Sequence, residues 1–275
     1  MSKLYVVGTP IGNLGDFSPR AVETLESVDF IAAEDTRVTL KLLNHFGIKK
    51  SMVSYFEHNK RERGEQITSR ILGGESCALV TDAGMPAISD PGEDLVRLCH
   101  EKGIRVESVP GPCAFTTALA LSGFPSGRFT FEGFLSVNKP SRREHLQSLE
   151  NETRTMLFYE APHKLGATLR DMNKAFGNRE IAIVREITKL HEEVIRTTLD
   201  EAVEKYADGS VKGEIVLVIK GAEKAESGDE MTFEQAVECA KRSVEDGMSV
   251  SEAAKQAAKL SGFKKGEIYK SLIGE

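Results

Sequence analysis

Short apolar runs alternate with amphipathic segments along residues 1–123 of the chain. The runs lie at residues 4–7, 30–33, 52–56, 77–80 and 106–109, and each has the length and composition of a buried β-strand. Between them, apolar residues recur at helical spacing, which predicts helices. Because strands that alternate with helices pair in parallel through right-handed crossovers, residues 1–123 are predicted to form an α/β domain with a mostly parallel sheet.

The pattern changes after the Gly-Phe-Pro sequence at residues 123–125, and a second α/β domain is predicted over residues 124–221. Its predicted strands are residues 129–135, 155–159, 181–187, 194–198 and 215–219, and its predicted helices are residues 140–149, 162–176 and 199–206. Some of these strands follow one another without an intervening helix. This favours antiparallel or mixed pairing in the second sheet.

The rest of the chain is predicted to form a linker followed by helices. Residues 222–231 are polar, and residues 232–275 have the periodicity of three short helices, two of them opened by the capping boxes Thr232/Gln235 and Ser249/Glu252. Three short helices resemble a helix-turn-helix module. The segment has as many acidic as basic residues, however, so a docking or dimer contact fits it as well as a nucleic-acid contact.

The composition limits which classes of protein the chain can belong to. The 275 residues are 40% hydrophobic and 28% charged, which is typical of a globular protein with room for about two domains. No apolar run approaches the roughly 20 residues that span a bilayer, and the N-terminus has no signal-peptide pattern, so we expect no membrane partner and a cytoplasmic location. Four cysteines without a C-x-x-C pair argue against a disulfide framework, and no metal site is expected.

Net charge also limits the possible partners. At −6, the chain has no global attraction to nucleic acid, so no DNA partner is expected, and an RNA partner would have to be held by local basic patches.

Glycine, proline and charged residues gather at the ends of the five predicted strands of the first domain. These clusters are residues 8–13, 34–37, 57–59, 81–92 and 110–113. In residues 81–92, two glycines and two prolines fix the backbone path, while Asp82 and Asp90 supply hydrogen-bond acceptors. One such cluster could be an ordinary cap or turn. Their recurrence at the sheet edge where α/β proteins bind ligands predicts a ligand site.

The first glycines do not fit the dinucleotide-binding fingerprint, because they are spaced G-x-x-x-G with Pro10 between them. Seven segments instead resemble, in the same order, motifs of the tetrapyrrole methylase superfamily, and in particular its ribosomal RNA methyltransferases. They are residues 7–14, 33–37, 56–59, 82–92, 110–112, 131–134 and 159–163. The likeness runs from Leu4 to about Lys220, and the helical tail is similar as well.

The resemblance implies a fold and an activity. The fold would be two α/β domains of tetrapyrrole methylase type with the cofactor cleft between them, plus a small C-terminal helical module. The activity would be S-adenosylmethionine-dependent 2′-O-methylation of a cytidine ribose in the decoding region of 16S rRNA. The substrate would be the RNA within the 30S subunit, and the enzyme would be a homodimer.

The resemblance also implies which loops hold the cofactor. The residues it assigns are Pro10 and Gly12, then Asp82, Ala83, Gly84 and Pro86, then Pro110, Gly111 and Cys113, then Tyr159, Glu160 and Ala161, and finally Gly213 and Glu214. Many are small, which lets a ligand approach the main chain closely. Asp82 would accept a hydrogen bond from the amine or the ribose of the cofactor.

A ribose hydroxyl is a weak acid, so a positioned proton acceptor would help its methylation. Asp35, Glu57 and His58 stand at neighbouring strand ends and are the predicted catalytic residues. Asp35 could equally cap the next helix or pair with Arg37, and His58 could be a hydrogen-bonded turn residue.

RNA phosphates would need cationic contacts near the cleft. The predicted contacts are Arg37, Lys60, Arg61, Arg63, Lys139, Arg142 and Arg143. Such residues are also common on solvated helix faces.

Two other functions remain open. A methyltransferase for a tetrapyrrole-type small molecule would share the fold and the cofactor, but it would need a large, mainly apolar pocket instead of basic rims. A non-catalytic cofactor-binding or RNA-binding module would bind without turnover. The motifs at residues 34–37 and 57–59 and the helical tail favour the RNA methyltransferase.

Overall fold

The computed structural model describes residues 2–207, 211–223, 231–245 and 247–274. The chain forms two compact units, Met1–Gly221 and Ala222–Glu275. The boundary predicted at residues 123–124 lies between the two sheets of the first unit, and the division into separate domains at that point stays a prediction. Most of the predicted linker, residues 224–230, lies outside the described residues.

The first sheet is parallel, which confirms the prediction. Its strands are β1 (Leu4–Val7), β2 (Phe30–Ala33), β3 (Ser51–Ser54), β4 (Cys77–Val80) and β5 (Val106–Val109), arranged in the order β3-β2-β4-β1-β5. The helices between and after them are α1 (Pro19–Ser27), α2 (Thr36–His45), α3 (Lys60–Leu72), α4 (Glu93–Glu101) and α5 (Ala114–Ser122). Strand β3 ends before the predicted residue 56, because the Asn59 side chain accepts from the Phe56 N–H and starts a turn there.

Helices cover both faces of this sheet. One face packs Ile31 against Leu25 of α1 and Leu43 of α2, while the other packs Leu79 against helices α3 and α4. All four residues of β2 and of β4 are buried, as expected of central parallel strands. Helix α1 begins as predicted, with Ser18 accepting from the Ala21 N–H.

The second sheet is mixed, as predicted. It contains β6 (Phe129–Phe134), β7 (Thr155–Glu160), β8 (Glu180–Arg185), β9 (Glu193–Thr198) and β10 (Ile215–Ile219), in the order β6-β7-β10-β8-β9. Only β6 and β7 pair in parallel; the other pairs are antiparallel. Helices α6 (Lys139–Ser148), α7 (Leu165–Phe176) and α8 (Leu199–Lys205) belong to this half, and a 3-10 turn, Pro162–Lys164, precedes α7.

Helix α5 joins the two sheets. It follows β5 in the chain, yet its buried residues Ala118 and Leu119 pack on the second sheet, in one apolar cluster with Leu157 of β7 and Val216 of β10. Ile11, in the loop after β1, belongs to the same cluster. The loops at the end of the first sheet are therefore held against β7 and β10.

The second unit is a three-helix assembly. Helices α9 (Phe233–Glu245), α10 (Val250–Ser261) and α11 (Lys265–Ile273) surround a core made mainly of alanines. Thr232 and Gln235 form the predicted capping box, each side chain accepting from the backbone N–H of the other. Ser249 accepts from the Glu252 N–H, but the Glu252 carboxylate accepts from the Ser249 hydroxyl instead of the backbone. Across the described ranges, no helix has the length and hydropathy that a bilayer span requires.

Main chain packs directly on main chain where β1, β4 and β5 end. A Cβ built on Gly111 would lie 2.8 Å from the Cα of Gly8, and the Gly111 N–H donates to the sulfur of Met85 at 3.3 Å. Thr9 and Gly84 exchange two backbone hydrogen bonds, of 2.9 and 3.1 Å. Glycine is required at positions 8 and 111, because a side chain at either would push the loops apart.

We predict that Gly111→Ala lowers the free energy of unfolding by about 1–3 kcal/mol, the usual cost of forcing an extra methyl group into a packed site. Urea unfolding followed by circular dichroism measures it. Gly127→Ala is the matched control, because a Cβ built there meets nothing within 4 Å. Equal stability of the two variants would contradict this account of the strand-end packing.

Candidate functional site

A cavity of about 340 Å³ lies in the first unit between the ends of the first sheet and the second sheet. Its walls come from the loops that follow β1, β4 and β5 and from residues of β6, β7 and β10 and the turn after β7. The predicted cofactor residues that line it are Ala83, Gly84, Cys113, Tyr159, Glu160, Ala161 and Glu214. The sequence motifs of both halves therefore meet at one cavity.

Other predicted cofactor residues shape the loops and do not form the cavity wall. They are Pro10, Gly12, Asp82, Pro86, Pro110, Gly111 and Gly213. Asp82 is an example: its carboxylate accepts from the Asp35 N–H at 3.1 Å and ties the end of β4 to the end of β2. Gly12 lies under Lys189, whose Cγ would be 2.6 Å from a Cβ at that position.

The predicted cofactor contacts omit most of the apolar lining and two of its polar residues. The lining residues outside that prediction are Ile11, Met85, Ile88, Ser89, Asp90, Ala114, Phe134, Pro162, Ile215 and Val216. Ile215 and Val216 have the sequence signature of core strand residues, so nothing in the pattern marks them as lining. Phe134 is 61% exposed, and its ring lies 5.4 Å from that of Tyr159. Asp90 and Pro162 lie inside the motifs at residues 82–92 and 159–163, and this position could have identified them as lining residues.

The cavity is acidic. Asp90, Glu160 and Glu214 line it, and in the part of the chain that the structure describes no Lys, Arg or His does. No group of three or more His, Cys, Asp or Glu among the described residues is arranged to hold a metal ion. The wall therefore combines apolar surface with carboxylates, which suits a ligand that is partly apolar and carries positive charge.

Glu160 is held by a chain of polar contacts that leads away from the cavity. It is 6% exposed, its Oε1 accepts from the Ala161 N–H at 2.8 Å, and its Oε2 accepts from the Thr168 hydroxyl. Arg142 donates to the same hydroxyl at 3.0 Å and forms an ion pair with Asp171, with Nε 2.8 Å from Oδ2. Both oxygens of the buried Glu160 carboxylate therefore have hydrogen-bond donors.

Asp90 has a different environment. Burial, together with the negative charges of Glu34 and Asp82, raises the pKa of the Asp90 carboxyl to about 6, although a hydrogen bond with Thr81 opposes the shift. The Thr81 hydroxyl also lies within donating distance of Glu34, with 2.6 Å between the two oxygens. At neutral pH, Asp90 is therefore a carboxylate in surroundings that favour its protonated form.

The loop that carries Asp90 has an unusual backbone. Ala87 and Ser89 have φ angles of 67° and 61°, in the left-handed region that residues with side chains rarely adopt. Gly92 has a φ angle of 148°, and a Cβ there would lie 3.0 Å from the Ala87 nitrogen. Such strain persists only where the surrounding structure holds it, and it concentrates at functional sites.

The structure gives Asp35 a capping role. Its carboxylate accepts from the Arg37 backbone N–H at 2.8 Å and from two guanidinium nitrogens of the same residue, at 3.0 and 2.6 Å. These bonds lower the pKa of Asp35 to about 2. A carboxylate that holds its negative charge so strongly is a poor proton acceptor, so the structure supports the alternative weighed from the sequence, a helix cap paired with Arg37.

Glu57 and His58 lie at the edge of the first sheet. They follow β3, its outermost strand on that side, and neither lines the cavity. Glu57 forms an ion pair with Lys60 at 2.7 Å, and the exposed His58 ring stands beside Phe56, with 6.1 Å between centroids. The structure does not bring these two residues together with the cavity.

The predicted RNA contacts fall into two groups. In the first group, the Arg37 side chain is 87% exposed but paired with Asp35. Lys60 forms ion pairs with Glu57 and Asp94. Arg61 is exposed, and Arg63 donates a hydrogen bond to Gln66. The second group lines a groove of about 550 Å³ between α6 and α7, whose cations are Lys139, Arg142, Arg143 and Lys174. The Arg142 side chain is only 11% exposed, because it is committed to Asp171 and Thr168.

Lys174 was missed by sequence reasoning. It faces the groove because α6 and α7 pack side by side, which no local pattern reveals. Glu150 and Asp171 line the same groove, so its positive charge is partly balanced.

The sequence is similar to one protein family and to relatives that share a single name. Residues 3–203 match the family described as Tetrapyrrole (Corrin/Porphyrin) Methylases. The chain is 44% identical over 270 residues to a Synechocystis sp. protein named Ribosomal RNA small subunit methyltransferase I, covering 98% of this chain and 96% of that protein. It is 49% identical over 223 residues to the Thermotoga maritima protein of the same name, covering 81% of this chain and all 100% of that one.

Among solved structures, the chain resembles the uroporphyrin-III C-methyltransferase of Thermus thermophilus complexed with S-adenyl homocysteine. The TM-score is 0.55 at 18% identity, over 79% of this chain and 97% of that one. A likeness at this identity shows the fold alone.

We predict that Asp90→Asn stabilises the protein at pH 8 by about 1–3 kcal/mol, because the pKa of the Asp90 carboxyl is raised to about 6. The folded state binds the Asp90 proton more tightly than the unfolded chain, so the wild type gains stability as the pH falls from above 6 towards 4. The advantage of the neutral asparagine should therefore shrink over that range. Urea unfolding of both proteins between pH 4 and 8 measures it, and a constant difference would contradict the assigned pKa.

Proposed function

Because the chain belongs to the tetrapyrrole methylase family, we propose that it is an S-adenosylmethionine-dependent methyltransferase that methylates a cytidine ribose 2′-hydroxyl in the decoding region of 16S rRNA. The observation that carries the proposal is the cavity between the two sheets, where the motifs of both halves meet. Near-full-length relatives named Ribosomal RNA small subunit methyltransferase I support the RNA substrate. A ribosomal substrate would place the enzyme in the cytoplasm.

The cavity fits this cofactor in size and chemistry. Its volume of about 340 Å³ lies in the range of small-molecule sites. Ile88, Phe134 and Val216 offer apolar surface for an adenine ring, while the exposed carboxylate of Glu214 suits a ligand with a sulfonium and an ammonium group. Small residues, among them Ala83, Gly84 and Ala161, let the ligand approach the backbone.

Helix α5 adds backbone donors. It begins at the cavity with Cys113 and Ala114, and the Cys113 side chain does not cap it. Uncapped N–H groups at a helix start favour an acceptor or a negative charge, such as the carboxylate of an amino acid.

Three tasks remain for the chain itself. When bound, the cofactor supplies a methyl group that its sulfonium already activates for displacement. The protein has to hold the ribose oxygen in line with that methyl group, exclude water, and provide an acceptor for the hydroxyl proton. The apolar wall around Phe134 and Tyr159 supports the second task, because it leaves little polar surface for water.

RNA would be held by the groove between α6 and α7. Lys139, Arg143 and Lys174 supply its cations beyond the committed Arg142. Folded RNA in the 30S subunit presents a surface of phosphates, which a local basic groove can grip although the chain as a whole is acidic. The homodimer implied by the resemblance is part of this proposal and rests on that resemblance.

Methyl transfer tests the proposal directly. The purified protein is incubated with methyl-labelled S-adenosylmethionine and 30S subunits that lack the modification, and the product is mapped by ribose-methylation-sensitive cleavage. We expect label at a single cytidine ribose. Cofactor binding without transfer to ribosomal RNA would overturn the RNA assignment and point to a small-molecule acceptor or a binding module.

A variant that fills the cavity should weaken binding of the cofactor. We predict that Ala83→Phe, in an exposed loop position of the lining, weakens binding of S-adenosylhomocysteine roughly tenfold or more, because its ring occupies cavity space. Calorimetric titration measures the affinity. Ala207→Phe, at an exposed position outside the lining, is the control and should bind normally. Unchanged binding by Ala83→Phe would remove the cavity from the proposed function.

The groove is tested by charge removal. Lys139→Ala combined with Arg143→Ala should raise KM for 30S subunits and reduce the salt dependence of log KM by about one for each lost phosphate contact, with cofactor affinity unchanged. Lys49→Ala is the control for the loss of one surface charge, because Lys49 is exposed just before β3, at the opposite end of the sheet from the cavity. A control variant with the same loss would show that only overall charge matters.

A further inference from the structure

We propose that Asp90 accepts the proton of the ribose hydroxyl during methyl transfer. This assignment rests on the proposed function and deepens it, since it replaces Asp35, Glu57 and His58 as the proton acceptor. Asp90 lines the cavity, and the three residues predicted from the sequence do not.

The other two carboxylates of the cavity wall are already engaged. Both oxygens of Glu160 accept hydrogen bonds, from the Ala161 N–H and the Thr168 hydroxyl. Glu214 is 76% exposed and lies 3.0 Å from the Lys189 ammonium. Asp90 is half-buried, and among the described residues no cation pairs with it. Of the three, Asp90 alone has a carboxylate available for a proton.

The groups that face Asp90 come from three elements. Glu34 stands at the end of β2, Thr81 and Asp82 stand at the end of β4, and Tyr159 comes from β7. Two of these are carboxylic acids, and the pKa of Tyr159 is raised to about 12 by burial, so its phenol stays neutral. Arg37, whose charge acts on Asp82, is bound to Asp35.

These surroundings make Asp90 a suitable base. Glu34 and Asp82 stand beside Asp90 with charge of the same sign, so a proton that reaches the Asp90 carboxylate relieves this repulsion. The raised pKa of the carboxyl, about 6, agrees with this geometry, because a general base works best with a pKa near the working pH.

The backbone fixes where the carboxylate stands. Asp90 follows the left-handed residues Ala87 and Ser89 and precedes Gly92, whose close approach to Ala87 leaves no room for a side chain. On the other side, a Cβ at Gly133, in the irregular part of β6, would lie 3.5 Å from the Ser89 hydroxyl. The loop is thus held between both halves, as a preorganised catalytic group requires.

The step balances without any further reagent. A lone pair of the ribose oxygen forms a bond to the methyl carbon while the bond from that carbon to sulfur breaks, and its electron pair stays on sulfur. The hydroxyl proton passes to a carboxylate oxygen of Asp90. Release of the neutral thioether and the methylated RNA lets that proton leave to solvent.

Three variants test the assignment in the full-length protein, with labelled S-adenosylmethionine and 30S subunits that lack the modification. Asp90→Asn should lower kcat by roughly a hundredfold or more, the usual contribution of general base catalysis, while the dissociation constant for S-adenosylhomocysteine changes by less than about threefold. Asp90→Glu keeps a carboxylate and should restore part of the rate. Glu93→Gln, whose side chain is 85% exposed, is the matched control and should react like the wild type.

The pH profile supplies a readout that a structural role would not change. Wild-type transfer should fall as the pH is lowered through the pKa of Asp90, and the residual transfer by Asp90→Asn should lack this limb. Wild-type kcat in Asp90→Asn, or an equal loss of affinity for S-adenosylhomocysteine, would overturn the assignment. If the wild type itself transferred no methyl group to RNA, the proposed function would fail first, and Asp90 would have no hydroxyl to deprotonate.

Discussion

Direct contact between main chains at the end of the first sheet is the constraint on which the site depends. Gly8 and Gly111 pack with no side chain between them, and Thr9 and Gly84 exchange backbone hydrogen bonds across the same junction. Three loops from neighbouring strands thereby become one rigid surface. The positions of the lining residues Ile11, Ala83, Gly84, Met85, Cys113 and Ala114 follow from this surface, because each stands within three residues of such a contact.

Helix α5 turns that surface into a cavity. Its position in the chain assigns it to the first sheet, but its apolar side packs on β7 and β10, so the second sheet is brought over the loops. The enclosed space has charge of one sign. Since two of its three carboxylates have partners and Asp90 faces other acids, the site combines apolar walls with one poorly compensated negative group.

Much of the fold could be predicted, because strand and helix periodicities are local. The strands at residues 4–7, 30–33, 77–80, 106–109 and 215–219 have the predicted bounds. The strand order and the partner of α5 depend on packing between distant segments, which periodicity does not encode. The same limit applies to the site. Asp35 and Asp90 are both acids that follow a strand in the sequence. Only their surroundings in the fold show that Asp35 caps a helix and binds Arg37, whereas Asp90 lies at the cavity among other acids.

The lining of the cavity joins chain segments that are far apart, such as residues 83–90 and 214–216. No fragment that forms only one of the two sheets contains the whole site, so it exists only when both sheets are folded and docked. A ligand that binds there binds the folded state and not the unfolded chain. By mass action it must stabilise the whole first unit against unfolding, and the melting temperature of both sheets should depend on ligand concentration as one cooperative transition.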